Sequence, residues 1–214
     1  MLVPAVASSL SARVRRNEAL SEIRTGEILT AATRVFGRKG YEATRAEDIA
    51  AAAGIAKGTL YLYFDSKEAI YSATVSRACR ELRAELERHT AQVTGFQEKL
   101  RTALQVRLEY WTENQSIYRL LLTVGREQKH RRQTADFLRA AQRDYKTLLQ
   151  DGVDAGEFAC DDLEQLAWAT LDLVRGASER RIDKLGESDP RQDALRITAF
   201  VLAQNTRRPS SRKR

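Results

Sequence analysis

The run Lys57-Gly58-Thr59-Leu60-Tyr61-Leu62-Tyr63-Phe64 holds the residue types that touch a nucleic acid at close range. A helix lying in a major groove needs small or hydrogen-bonding residues at its N-terminal end. It also needs aromatic or basic residues that reach phosphates. Gly58 lets the backbone approach closely. Thr59 can bond a phosphate or touch a thymine methyl. Leu60 and Phe64, at i and i+4, share a face and read as core. Tyr61 and Tyr63 are two apart and cannot share one face, so one packs and the other points outward, with Tyr61 the better outward candidate.

Other chemistry is sparse. His89 and His130 stand alone, and Cys79 and Cys160 have no partner spacing. Free thiols in a reducing, cytoplasmic setting fit better than a disulfide scaffold. Asp161-Asp162 reads as a helix start rather than an acid/base pair. The chain has no Ser-His-Asp order, phosphate loop or metal-ligand cluster, so no enzyme, metal or cofactor is expected.

The elements that position these residues read as helices throughout. The 214 residues contain three prolines, and no segment alternates like a strand. From Ser21 to Arg38, the residues Ile23, Ile28, Leu29, Ala32, Val35 and Phe36 fall on one helical face, and Gly37 and Gly40 end the helix. Thr44-Arg45-Ala46-Glu47 is a capping-box pattern with Thr44 as N-cap and Glu47 at N3. It starts a short helix that Gly54 stops. A third short helix spans Lys57 to Phe64, and Asp65-Ser66-Lys67-Glu68 opens a long fourth one. Two short helices joined by a glycine turn, behind a third, make a helix-turn-helix. Further amphipathic helices are predicted over residues 96–112, 116–125 and 132–155, the last interrupted near Gly152. Two more start at Asp161 or Asp162 and at Asp189-Pro190.

The net charge of +7 is unevenly placed. Residues 1–16 carry +3 and residues 207–214 carry +5, leaving −1 for the body between them. The charge is therefore weak evidence for nucleic-acid binding, although an N-terminal arm could add phosphate or minor-groove contacts. No apolar run of about 18 residues is present, so no membrane span is expected. Residues 1–11 make a poor signal peptide.

The stretch AATRVFGRKGYEATRAEDIAAAAGIAKGTLYLYFDSKEAIY closely resembles the DNA-binding domain of the TetR family of bacterial regulators. The specific features run from Ser21 to about Tyr71. They are G-Y before the cap, T-x-x-x-I-A, the A-G turn, K-G-T-L-Y-x-Y-F and the S-K-E helix start. The resemblance implies an all-α fold with a three-helix DNA-binding domain over 21–67 and a helical effector and dimerisation domain over 68–206. A basic arm (1–20) and a basic tail (207–214) would flank them. It implies DNA contacts from Thr44 (a phosphate), Arg45 (a base edge), Lys57, Gly58 and Thr59 (opening the recognition helix), Tyr61 and Tyr63 (reaching phosphates or packing beside them) and Lys67 (a phosphate). One position departs from the family: Ala56 stands where Ser or Thr is usual, and Ala cannot cap, at a cost of roughly 0.5–2 kcal/mol.

The expected partners are pseudo-palindromic double-stranded operator DNA, a second copy of the chain and a small apolar or aromatic effector. The expected function is a ligand-released repressor. A ligand-independent or protein-controlled regulator, or an activator of the same fold, is the alternative. Leu163, Leu166, Thr170, Leu173, Val174 and Ala177 form one apolar stripe, and Ile197 and Val201 another. Both are read as the homodimer interface. Candidate pocket walls are Leu104, Leu108, Trp111, Tyr118, Leu122, Phe137, Tyr145, Trp168 and Leu171.

Overall fold

The computed structural model describes residues 4–124, 131–185 and 189–205. The helices among them are α1 (Pro4–Lys39), α2 (Ala46–Ala52), α3 (Lys57–Tyr61), α4 (Lys67–Thr90), α5 (Phe96–Glu113), α6 (Gln115–Val124), α7 (Arg131–Asp154), α8 (Leu163–Ile182) and α9 (Pro190–Ala203). No strand occurs among the described residues. None of these helices is long and apolar enough to cross a membrane.

The chain divides into two units, with the division falling inside α4 between Arg77 and Ala78 rather than after Lys67. The reason is local: α4 stays packed in the first unit through Ile70, Tyr71 and Val75, all at most 1% exposed. The first unit starts earlier than expected too. Residues 4–20 continue α1 instead of forming an arm. After Pro4, a good first helical residue, this stretch holds no helix breaker. The basic tail at 207–214 and His130 lie outside the described residues.

In the first unit Ile28, Leu29, Ala32, Val35 and Phe36 bury one face of α1 as the periodicity requires, whereas Ile23 is 61% exposed. Ile49 from α2, Leu60 from α3 and Tyr71 from α4 complete that core. Burying a side chain such as Leu60 contributes about 1.5–3 kcal/mol. The Tyr41 ring stacks on Phe36, with centroids 5.6 Å apart, and meets Tyr71 edge-on at 5.4 Å.

In the second unit the main core gathers Phe96, Leu100, Leu104 and Leu108 of α5 with Tyr145 and Leu149 of α7, Leu171 and Val174 of α8, and Ile197 and Val201 of α9. A smaller cluster joins Ala78 and Leu82 of α4 to Trp111, Ile117, Tyr118 and Ile182. Asp162 and Asp189 cap α8 and α9, accepting from Gln165 N at 2.9 Å and Arg191 N at 3.1 Å. Gly152 does not interrupt α7. The helix runs through it, because a Cβ there would lie 2.5 Å from the Phe96 ring and only glycine lets that ring seat.

Candidate nucleic-acid interface and ligand cavity

The approach to α2 is built differently from its capping-box reading. The N-cap is Arg45, with φ −105° and ψ 158°, and the N3 residue is Asp48, one position later than expected. Asp48 Oδ2 accepts from the Arg45 backbone N–H at 2.9 Å, and its Oδ1 accepts from Lys39 Nζ at 2.6 Å. Lys39 is the main reason the Asp48 carboxyl sits below its ordinary pKa. Thr44 is not the cap. It is 1% exposed, and its hydroxyl donates to the Gly40 carbonyl at 2.6 Å, closing the turn that Gly40 opens with φ 76°. The sequence pattern misassigned the register because Thr-x-x-Glu and Arg-x-x-Asp overlap by one residue, and burial of Ala46 and Ile49 selects the second.

Gly54 makes the turn between α2 and α3 in the left-handed region, φ 68°, where a side chain would be strained. Ala56 is the N-cap of α3 and supplies no side-chain bond, as its methyl dictates. Leu60 and Phe64 point into the core at 0% and 9% exposure. α3 ends at Tyr61, three residues before the expected Phe64, and the turn after it is held by Tyr63 N–H and Phe64 N–H, both bonded to the Leu60 carbonyl.

The opposite face of α3 is open. Lys57 and Gly58 are exposed, Thr59 is half-buried and Tyr61 is 43% exposed, whereas Tyr63 is half-buried. A Cβ built on Gly58 would meet nothing within 4 Å, so the protein's own packing does not require glycine there. Lys57 Nζ lies 2.5 Å from Glu47 Oε1 and 5.9 Å from the Tyr61 ring centroid. The hydrogen bond between them lowers the Glu47 pKa and raises that of Lys57. Arg45 is exposed at the start of α2.

Lys67 is more tied down than a phosphate-seeking lysine need be. Its ammonium donates to the Tyr41 carbonyl at 2.9 Å and lies 4.3 Å from the Tyr41 ring centroid. Ser66, not Asp65, supplies the oxygen at the start of α4, accepting from Ala69 N at 3.1 Å. Sequence reasoning missed Asp48, Lys39 and the 83% exposed Leu62 beside Tyr61. The Asp48 spacing to Arg45 was the signal that could have found the first.

The second unit encloses a cavity of about 80 Å³ lined by residues of α4 to α8. Four of the nine expected wall residues line it: Trp111, Tyr118, Phe137 and Leu171. Leu104 and Leu108 are instead fully buried in the core, and Trp168 packs partly buried against that core. Leu122 packs on the smaller cluster. Tyr145 lines a neighbouring, more open cavity of about 350 Å³. Arg83, Leu86, Arg107 and Asp144 line both cavities, and none of the four was expected. Burial pushes the Tyr118 phenol up to about 12, so it stands neutral, and raises the Cys79 thiol.

The expected dimer stripe is corrected in the same way. Leu166, Thr170, Val174, Ala177, Ile197 and Val201 are at most 6% exposed within the single chain, and Leu163 packs against the same core. Only Leu173 of the eight is exposed, at 37%. Within α8 and α9 the other large apolar residues left exposed are Leu195 at 48% and Phe200 at 45%. A stripe at i+3/i+4 spacing shows that a face is buried, not by which partner.

The family described as bacterial regulatory proteins, tetR family, matches residues 28–74, and the tetracyclin repressor-like C-terminal domain matches residues 94–202. The HTH-type transcriptional regulator YfiR of Bacillus subtilis is 29% identical over 141 residues, covering 63% of this chain and 68% of that one. The HTH-type transcriptional activator FasR of Mycolicibacterium smegmatis is 31% identical over 107 residues, covering 50% of this chain and 49% of its own length. The transcriptional regulator FadR from Bacillus subtilis, solved in complex with stearoyl-CoA, shares the fold with TM-score 0.75 at 18% identity. That match covers 83% of this chain and 97% of FadR. With a folded helix-turn-helix, a separate helical unit and both family models matched, this chain belongs to the TetR family of bacterial transcriptional regulators.

Proposed function

We propose that the protein is a dimeric repressor that binds a pseudo-palindromic operator through α3 and releases it when an apolar effector enters the cavity among α4 to α8. The observation that carries the DNA half is the two-sided character of α3. Leu60 and Phe64 anchor it, while Lys57, Gly58 and Tyr61 are exposed around a half-buried Thr59 at a site with room for close approach. Arg45 reads a base edge from the start of α2. Thr44 and Lys67 act chiefly by holding the loop before α2, and Lys67, which donates to the Tyr41 and Glu42 carbonyls, keeps one donor for a phosphate.

Dimerisation uses the face that carries Leu173, Leu195 and Phe200 and sets the two recognition helices about 34–36 Å apart. The link between effector and DNA is α4. Lys67 at its start belongs to the DNA-binding unit, and Cys79, Leu82, Arg83 and Leu86 further along line the cavity. An effector that favours one placement of α4 changes operator affinity by the same factor that operator binding changes effector affinity. A footprint on the intergenic DNA, followed by operator titration with and without effectors, tests this. Affinity unchanged by every effector that binds the cavity would defeat the ligand half. Activation is the second reading, favoured by the similarity to the activator FasR over half its length.

A further inference from the structure

Arg107 is 5% exposed, yet its Nε has no hydrogen-bond partner. Its nearest carboxylate, Asp144, stands 3.6 Å from the guanidinium, beyond hydrogen-bond range. Asp144 is itself engaged elsewhere, accepting from Arg83 at 2.9 Å. One carboxylate thus serves two arginines. The Tyr145 ring, 4.9 Å from the Arg107 guanidinium carbon, supplies a cation–π contact but accepts no directed hydrogen bond. A buried guanidinium left short of acceptors is costly, and an incoming anion would offset that cost.

The charge around the cavities decides where that anion sits. The inner cavity is lined by Arg83, Arg107 and Arg175 against Asp144 alone. Arg175 faces its own acids, Asp172 at 3.2 Å and Glu179 at 3.9 Å, so the uncompensated positive charge is at Arg107. The outer cavity adds Glu87 and Asp151 and repels an anion. The rest of the inner wall is mainly aliphatic and aromatic, including Leu86, Trp111 and Phe137. We propose that the effector is an apolar monocarboxylic acid whose carboxylate binds Arg107 in place of Asp144 while its hydrocarbon part fills the inner cavity. This rests on reading the cavity as the effector site.

The test uses the full-length protein and two probes of matched length short enough for the inner cavity, butanoate and 1-butanol, followed by calorimetry or intrinsic tryptophan fluorescence. The acid binds about 10-fold or more tightly than the alcohol. Arg107→Met removes that preference and leaves alcohol binding in place. Asp144→Asn, which frees Arg107 from its competitor, widens the preference and guards against an Arg107 variant that fails to fold. Equal binding of acid and alcohol to the wild type, or a preference that survives in Arg107→Met, overturns the proposal while leaving an effector cavity standing. Binding of neither probe by a protein that still binds its operator overturns this proposal, whereas the ligand half of the proposed function stands or falls with the operator titration.

Discussion

Lys57 and Glu47 lie 2.5 Å apart, joining the first residue of α3 to the first turn of α2 across the Gly54 turn. The pair holds the lysine at the edge of the surface proposed to bind DNA and engages it with a carboxylate. Lys57→Ala is expected to weaken operator binding alike for all sequences and to reduce the salt slope by about one. Glu47→Gln is expected to strengthen binding, because it removes both a competitor and a repulsive charge. Anisotropy titrations across salt concentration read both. Glu47 is lowered, so the pair is intact above its unfolded pKa and opens as pH falls through the lowered value. Lys57 is raised, so the pair opens at the alkaline end only above that raised value. Between the two unfolded pKa values the pair's contribution to folding stability is therefore expected not to vary with pH.

Gly58 separates folding from binding. Alanine there meets no atom within 4 Å and suits a helix better than glycine. Gly58→Ala is expected to hold or raise the melting temperature and to lower operator affinity. A variant with wild-type affinity would remove Gly58 from the contact surface.

Gly152 is the opposite case. Its added Cβ would stand 2.5–2.9 Å from three atoms of the Phe96 ring, so Gly152→Ala is expected to cost about 1–3 kcal/mol by overpacking. Denaturant unfolding reads the loss. Phe96→Leu in the same chain should recover part of it, because the smaller side chain vacates that space.

Neighbouring residues of α8 differ sharply in burial, Leu173 being exposed and Val174 buried. Leu173→Arg with Phe200→Glu changes only exposed side chains, so the chain is expected to stay folded and sediment as a monomer. Val174→Arg, one position away and 2% exposed, is expected to unfold the second unit instead. Sedimentation velocity and circular dichroism separate the two outcomes.

Arg181 and Asp193 form an ion pair at 2.8 Å, both nearly buried, and Arg181 also donates to Thr112 at 2.9 Å. This ties α8, α9 and α5 together. Asp193→Ala leaves a buried guanidinium short of its acceptor, and a loss of about 3–5 kcal/mol is expected in equilibrium unfolding.

The sequence by itself determined the local features. Leu60 and Phe64 at i and i+4 fixed which side of α3 is core, Gly54 fixed the turn, and Asp162 and Asp189-Pro190 fixed where α8 and α9 begin. Each is set by neighbours within four residues, where helical geometry leaves little choice. Only the tertiary structure decided the partners. The overlapping box patterns at Thr44 and Arg45 were separated by which residues of α2 are buried, and Thr44 then turned to Gly40. Val174 and Ile197 were apolar in either reading, and packing sent them into their own core while leaving Leu173 and Phe200 uncovered. Arg107 gave no signal at all in sequence, because a charged residue on an amphipathic helix normally reads as solvated. Its burial between two cavities, with one carboxylate shared among two arginines, arises only when α4, α5 and α7 are packed together.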